Sequence, residues 1–255
     1  MNSSLPIEIS HPIEVALKSM QSHPQHQLLP YYRRAIYKGI EKAVGPKAHK
    51  IKAWLSILAT QHVSSYWRIP LFMVREDEDD YDYWLHIPNH LIKIAKGIIN
   101  GTIDSDGISK EVGHLSEVND FTGQMDDSPY YHEWCVFKAA LSCVWKVLNS
   151  DSRKPLETDD GINMTTTDEN LIRYHCPDTA LWACLAYTDG TWTPTDPEKW
   201  TYDKQQNRWM TEDEGWYFED YGVWNQNTEQ AIARRQEFWE WWLSQAVNEA
   251  WYQAQ

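Results

Sequence analysis

The chain has 255 residues, 42% hydrophobic and 24% charged, with a formal charge of -14. That length suits one large domain or two small ones with a sizeable core, and one domain is the simpler expectation. No apolar run approaches the roughly 20 residues of a spanning helix, and "MNSSLPIEIS" lacks a basic start followed by an apolar segment, so a soluble, unexported, cytoplasmic protein is expected.

The charge is unevenly spread. Up to Pro70 nine Lys or Arg stand against three Asp or Glu, whereas from Leu71 onward fourteen stand against thirty-four. Most of this surface would repel nucleic acid and attract a basic protein. Cys135 and Cys143, like Cys176 and Cys184, are spaced by eight, about two helical turns, too far apart on one helix to bridge. Buried free thiols are the expectation, with no metal and no cofactor.

The first clear helical period lies in "PYYRRAIYKGIEKAVG". Pro30 is tolerated in a first turn, Gly45 ends the helix, Tyr32, Ile36, Ile40 and Val44 share a face, and the outer side is basic. Pro46 opens a second helix carrying Ile51, Trp54, Leu55, Leu58 and Val63. Next comes the densest acidic run, "REDEDDYDYW", which lacks the glycine and the spacing of an EF-hand loop.

"PNHLIKIAKGIINGT" predicts a third helix stopped by Gly101, and "ISKEVGHLSEV" a shorter fourth after the turn residues "DSDG". "SPYYHEWCVFKAALSCVWKVLNS" predicts a central, buried helix with Ser128 as N-cap, Pro129 in its first turn, and Trp134, Phe137, Leu141, Val144, Trp145 and Leu148 inward. The polar stretch 149–167 predicts a long loop. "PDTALWACLAYTDGTW" predicts a helix opened by Pro177 and Asp178, whose Ala180, Ala183 and Ala186 permit close packing.

Between Thr188 and Thr228 nine acids face three bases, and Trp192, Trp200, Trp209, Trp216 and Trp224 recur every seven to nine residues. Within this stretch "KWTYDKQQNRWM" alternates around a polar turn and predicts a β-hairpin. The last helix, about Glu229 to Tyr252, places Ile232, Trp239, Trp242, Leu243, Ala246 and Ala250 on one face, with Phe238, Trp241 and Tyr252 beside or away from it. Glu237, Glu240 and Glu249 stand where a membrane-surface helix would carry Lys or Arg, so the aromatic face is read as core.

Two blocks, "DTALWACLAYTDGTW" and "RRQEFWEWWLSQAVNEAW", resemble the C-terminal signature of immunity protein family five of bacterial polymorphic toxin systems. In that family an alanine-rich helix with a Trp is followed by a glycine and a Trp, then by a closing helix on an Arg-Glu-Phe-Trp-Glu-Trp core. This chain departs by placing about forty acidic, Trp-rich residues between the blocks, and Asn248 where a proline is expected. The resemblance implies a mostly α-helical cytoplasmic protein that binds and neutralises a toxin, with no catalytic residues.

The expectation is therefore an all-α fold: a single multi-helix domain (1–255) of seven or eight helices, with a late irregular or β-hairpin insertion at 188–228. It is expected to be a non-enzyme whose partner is a cognate toxin, probably basic. Acids plug basic clefts and speed association, and aromatics anchor the contact. The candidate partner-binding residues are Glu76, Asp77, Glu78, Asp79, Asp80, Tyr81, Asp82, Tyr83 and Trp84, with Glu212, Asp213, Glu214, Trp216 and Tyr217 in the insertion.

The alternative is a carbohydrate or cell-wall binding module using the spaced Trp residues, although the glycines and strict period of such repeats are missing. Enzymatic motifs such as GxSxG, HExxH or a phosphate-cradling glycine loop are missing too. His132 by Cys135 and His175 by Cys176 read as packed pairs, not as thiol catalysts.

Overall fold

The computed structural model describes residues 5–68, 81–121, 131–148, 178–188, 191–194, 200–203, 208–211, 222–225 and 227–255. These form an all-α bundle with a late excursion of short strands. The N-cap Ser128, Pro129, the stretch 149–167, Pro177 and Cys176 lie outside the described residues.

The first helix, α1 (Ile7–Ser22), precedes every element read from periodicity and contains Pro12. Proline has no N–H, so the carbonyl of Glu8, four residues earlier, loses its helical donor. Gly39 of α2 (Pro30–Val44) lies against that carbonyl, and a Cβ at Gly39 would sit well inside contact distance of the Glu8 oxygen. Backbone thus approaches backbone, with room for only a hydrogen.

Alanine at an ordinary helical glycine stabilises by about 1 kcal/mol. Gly39→Ala is instead expected to destabilise by about 1 to 3 kcal/mol through overpacking, read as a lower urea midpoint. A raised midpoint would show that α1 and α2 do not meet at this point.

Helix α2 begins and ends where its punctuation predicts. Pro30 stands in the first turn, and Gly45 closes the helix at φ 57, a conformation that favours glycine. A 3-10 turn (Gly45–Lys47) leads into α3 (Ala48–Val63), which is buried almost all round. The outer side of α2 is not uniformly basic: Arg33 is 1% exposed and donates through Nε to Asp178 Oδ2 at 2.9 Å and through Nη1 to Leu28 O at 2.8 Å. The sequence pattern of α2 alone carries no sign of a partner 145 residues away.

Helix α4 (Tyr81–Ile99) starts seven residues before Pro88, where the sequence pattern opens the third helix. The helix runs through that proline, and the carbonyl it frees, Trp84 O, accepts the Trp67 indole N–H at 2.9 Å. A local breaker is overridden by a side chain from outside the helix. Gly101 stands just past the end at φ 69. Helix α5 (Ser105–Phe121) is longer than expected and starts inside "DSDG", where Asp104 Oδ1 accepts the Asp106 N–H at 3.3 Å.

Helix α6 (Tyr131–Leu148) is central, packing on α3, α4 and α5, and buries Trp134, Phe137, Leu141 and Val144 as expected. Helix α7 (Thr179–Thr188) lies against α3 and α6, with Ala180, Ala183 and Ala186 at most 2% exposed. Asp178 caps it by accepting the Leu181 N–H at 2.7 Å. Cys135, Cys143 and Cys184 are buried, and burial pushes the thiols of Cys143 and Cys184 up to about 12.

The late excursion consists of two antiparallel pairs. Strands β2 (Trp200–Asp203) and β3 (Arg208–Thr211) form the expected hairpin, with Trp200 opposite Thr211. Strands β1 (Thr191–Pro194) and β4 (Gly222–Asn225) pair Thr191 with Asn225, so the chain leaves and returns at neighbouring points.

The closing helix α8 (Glu229–Trp241) is capped by Thr228, whose Oγ1 accepts the Ala231 N–H at 3.1 Å. It continues through a π turn (Trp242–Ala246) into α9 (Val247–Gln253). Trp239, Trp242, Leu243, Ala246 and Ala250 are buried as their spacing predicts. Phe238, placed beside that face by the sequence, is also fully buried, and Ile232 only half so. The helix contacts α1 on one side and α7 on another, so its buried arc is wider than one stripe. Trp241 and Trp251 are half-buried, and the tryptophan-rich segment is mainly core.

Candidate interaction surface

The sites where the two acidic segments join the bundle lie together. Tyr66, at the end of a 3-10 turn (Ser64–Tyr66), stands 5.8 Å from Tyr187, ring to ring. Tyr66 leads through Trp67 toward the acidic run, and Tyr187 precedes the excursion by one residue. Trp67 in turn holds Trp84, so the described approach to the acidic run and its exit are tied to each other.

Between these points lies a half-buried aromatic cluster. The His62 ring is sandwiched by Trp241, at 3.8 Å and 12°, and by Tyr187, at 5.1 Å and 29°. Phe238 packs edge-on to His62 at 5.9 Å, and Tyr66 meets His132 of α6 at 5.7 Å. Four helices, α3, α6, α7 and α8, and the 3-10 turn that carries Tyr66 therefore supply one surface.

Burial holds the His62 imidazole below its ordinary range, against the opposing pull of Glu237. The Tyr187 phenol is pushed up to about 12, first by burial and then by its hydrogen bond to Glu237. Arg234 lies over the Tyr187 ring at 5.8 Å and reaches the Tyr187 carbonyl at 3.5 Å. The cluster thus presents flat aromatic rings edged by the Arg234 cation and the exposed Glu237 carboxylate.

Of the candidate residues named from the sequence, Glu76, Asp77, Glu78, Asp79 and Asp80 lie outside the described residues, as do Glu212, Asp213, Glu214, Trp216 and Tyr217. Tyr81, Asp82, Tyr83 and Trp84 form the first turn of α4, so the run ends as helix. Asp82 is exposed and lies 3.6 Å from His86, one turn on. The Tyr83 hydroxyl donates to Glu111 Oε1 at 3.3 Å, and Trp84 is half-buried.

No family model matches this chain, and no curated protein does. The His62 cluster escaped the sequence reading because its members come from four separate segments.

Proposed function

We propose that the chain is an immunity protein that neutralises a cognate toxin domain by protein contact. One observation carries the reading. The two blocks that resemble immunity protein family five, separated by about forty residues in sequence, are neighbours in the fold: α7 packs on α8, and Tyr187 lies 5.9 Å from Phe238. The intervening strands begin and end side by side, so the excursion departs without separating the blocks.

The charge balance supports a basic partner. From Leu71 onward the chain carries fourteen bases against thirty-four acids, an excess that attracts a basic cleft over long range and speeds association. No described helix is long and apolar enough to cross a membrane. The toxin contact is proposed for the end of the bundle where the acidic run and the excursion are rooted.

The test is capture of partners from a lysate of the source organism at low and moderate salt. A stoichiometric basic protein released as salt rises is the expected result. Replacing Asp77, Asp79 and Asp80 by Lys should then weaken that partner at least about tenfold, near the lower range of close charge pairs across interfaces, and leave the circular dichroism unchanged. Retention on glycans with no protein partner would overturn the proposal in favour of a carbohydrate-binding module.

A further inference from the structure

We infer that α2, α3 and α6 carry a surface site for a phosphate-class oxyanion, held by the ammonium groups of Lys52 and Lys146 where both meet the Tyr37 ring. Tyr37 stands on α2, Lys52 on α3 and Lys146 on α6. Each Nζ lies 5.9 Å from the centre of that ring, so two helices deliver a cation to one aromatic side chain of a third.

Lys146 lacks a counter-charge. Two carboxylates act on it, and both are committed elsewhere: Glu41 to Lys52, and Asp178 to Arg33. Among the described residues Lys146 has neither an ion pair nor a hydrogen bond. The chain has 37 acids against 23 bases, so a shortage of carboxylates does not explain this half-buried, unmatched ammonium. Charge drawn out of water is costly unless an opposite charge meets it. Burial first, and Lys52 second, hold the Lys146 ammonium below its ordinary range, and a bound anion would offset both.

The surrounding charge selects the kind of anion. Between Arg33 and Lys52 seven Lys or Arg stand against one acid, Glu41. Lys38 and Lys42, exposed and one turn apart on α2, extend the positive surface beside Tyr37. Lys38, Lys42, Lys52 and Lys146 thus set four cations against one carboxylate, a surplus that a phosphate of about -1.5 to -2 charge balances better than a carboxylate or a halide. Lysine binds phosphate as a point charge, and an ammonium has donors to spare beyond the single bond from Lys52 to Glu41. The Tyr37 phenol, raised well above its ordinary range by burial and then by Asp178, stays protonated and adds no competing charge. The site stands independently of the toxin reading.

The test titrates the full chain with inorganic phosphate and, separately, with phosphoserine, at constant ionic strength against sodium chloride. Calorimetry should show one equivalent bound below millimolar concentration, and the melting temperature should rise beyond the chloride control. Binding of inorganic phosphate alone supports a free-ion site, and binding of phosphoserine supports one open to monoesters. Lys146→Met keeps an apolar stem and breaks no ion pair, so it should retain the native circular dichroism, weaken binding at least about tenfold and abolish the melting shift. Lys52→Met should weaken binding as well, whereas Lys138→Met, also on α6 but over Trp134, should bind as wild type. Absence of binding, an adventitious ion only, seen as an equal shift with chloride, or unchanged affinity in Lys146→Met overturns the site.

Discussion

Trp239→Ala is expected to cost about 3 to 5 kcal/mol, the range for deleting a large buried aromatic side chain. The ring is 0% exposed and meets Phe238 edge-on at 5.1 Å and Trp242 at 5.9 Å and 90°. It also lies under the Arg33 guanidinium, 5.6 Å from its centre. The truncation would open a cavity and remove the apolar floor of a buried charge at once. Since small domains hold about 5 to 15 kcal/mol in all, the variant should be largely unfolded near physiological temperature, as read by urea denaturation and circular dichroism.

Trp242→Ala should behave similarly, because that ring is equally buried and packs edge-on to Tyr37 at 6.1 Å. Trp241→Ala is the internal comparison: its ring is half-buried against His62, and it should fold with a smaller loss. If Trp239→Ala keeps the wild-type midpoint, the packing assigned to α8 is wrong.

The core was legible wherever burial follows the helical period. Pro30 and Gly45 bracket α2, and Ile36 and Ile40 are buried as their period requires. The hairpin was legible from alternation alone. What escaped were features decided by a second element. Pro88 suggests a helix start until Trp67 arrives to satisfy the carbonyl it frees. Pro12 hides α1 in the same way, its freed carbonyl facing Gly39. Phe238 lies off the main stripe and is buried because Tyr187 and His62 cover it.

The candidate surface was less legible still. Acidic composition pointed to two segments but carried no signal that Tyr66 and Tyr187, 121 residues apart, bring their roots together. Proximity of that kind comes from packing α3 and α7 side by side, which no local pattern encodes.

Arg33→Ala is expected to cost as much as the loss of a core tryptophan, about 3 to 5 kcal/mol, because it breaks a buried ion pair and leaves one charge behind. Arg33 side-chain exposure is 2% and that of Asp178 17%. The same guanidinium also holds the Leu28 carbonyl, so α2, the turn before it and the start of α7 are fastened by one side chain. Asp178 has a second task, since its other oxygen caps α7 through Leu181. Asp178→Ala therefore removes the ion pair and the cap together, whereas Asp178→Asn keeps a competent cap and removes only the charge.

If the pair is the fastening, Asp178→Asn should recover no more than the roughly 1 kcal/mol that a cap contributes, and combining Arg33→Ala with Asp178→Asn should cost clearly less than the sum of the two single losses. Urea midpoints of the four proteins measure that coupling. Strictly additive losses would show that Arg33 and Asp178 act separately, the arginine through its contact with Leu28 and Trp239 and the aspartate through its cap. Strong coupling would mean that the start of α7 is anchored to the N-terminal helices by this pair, so that one buried ion pair joins segments 145 residues apart in sequence.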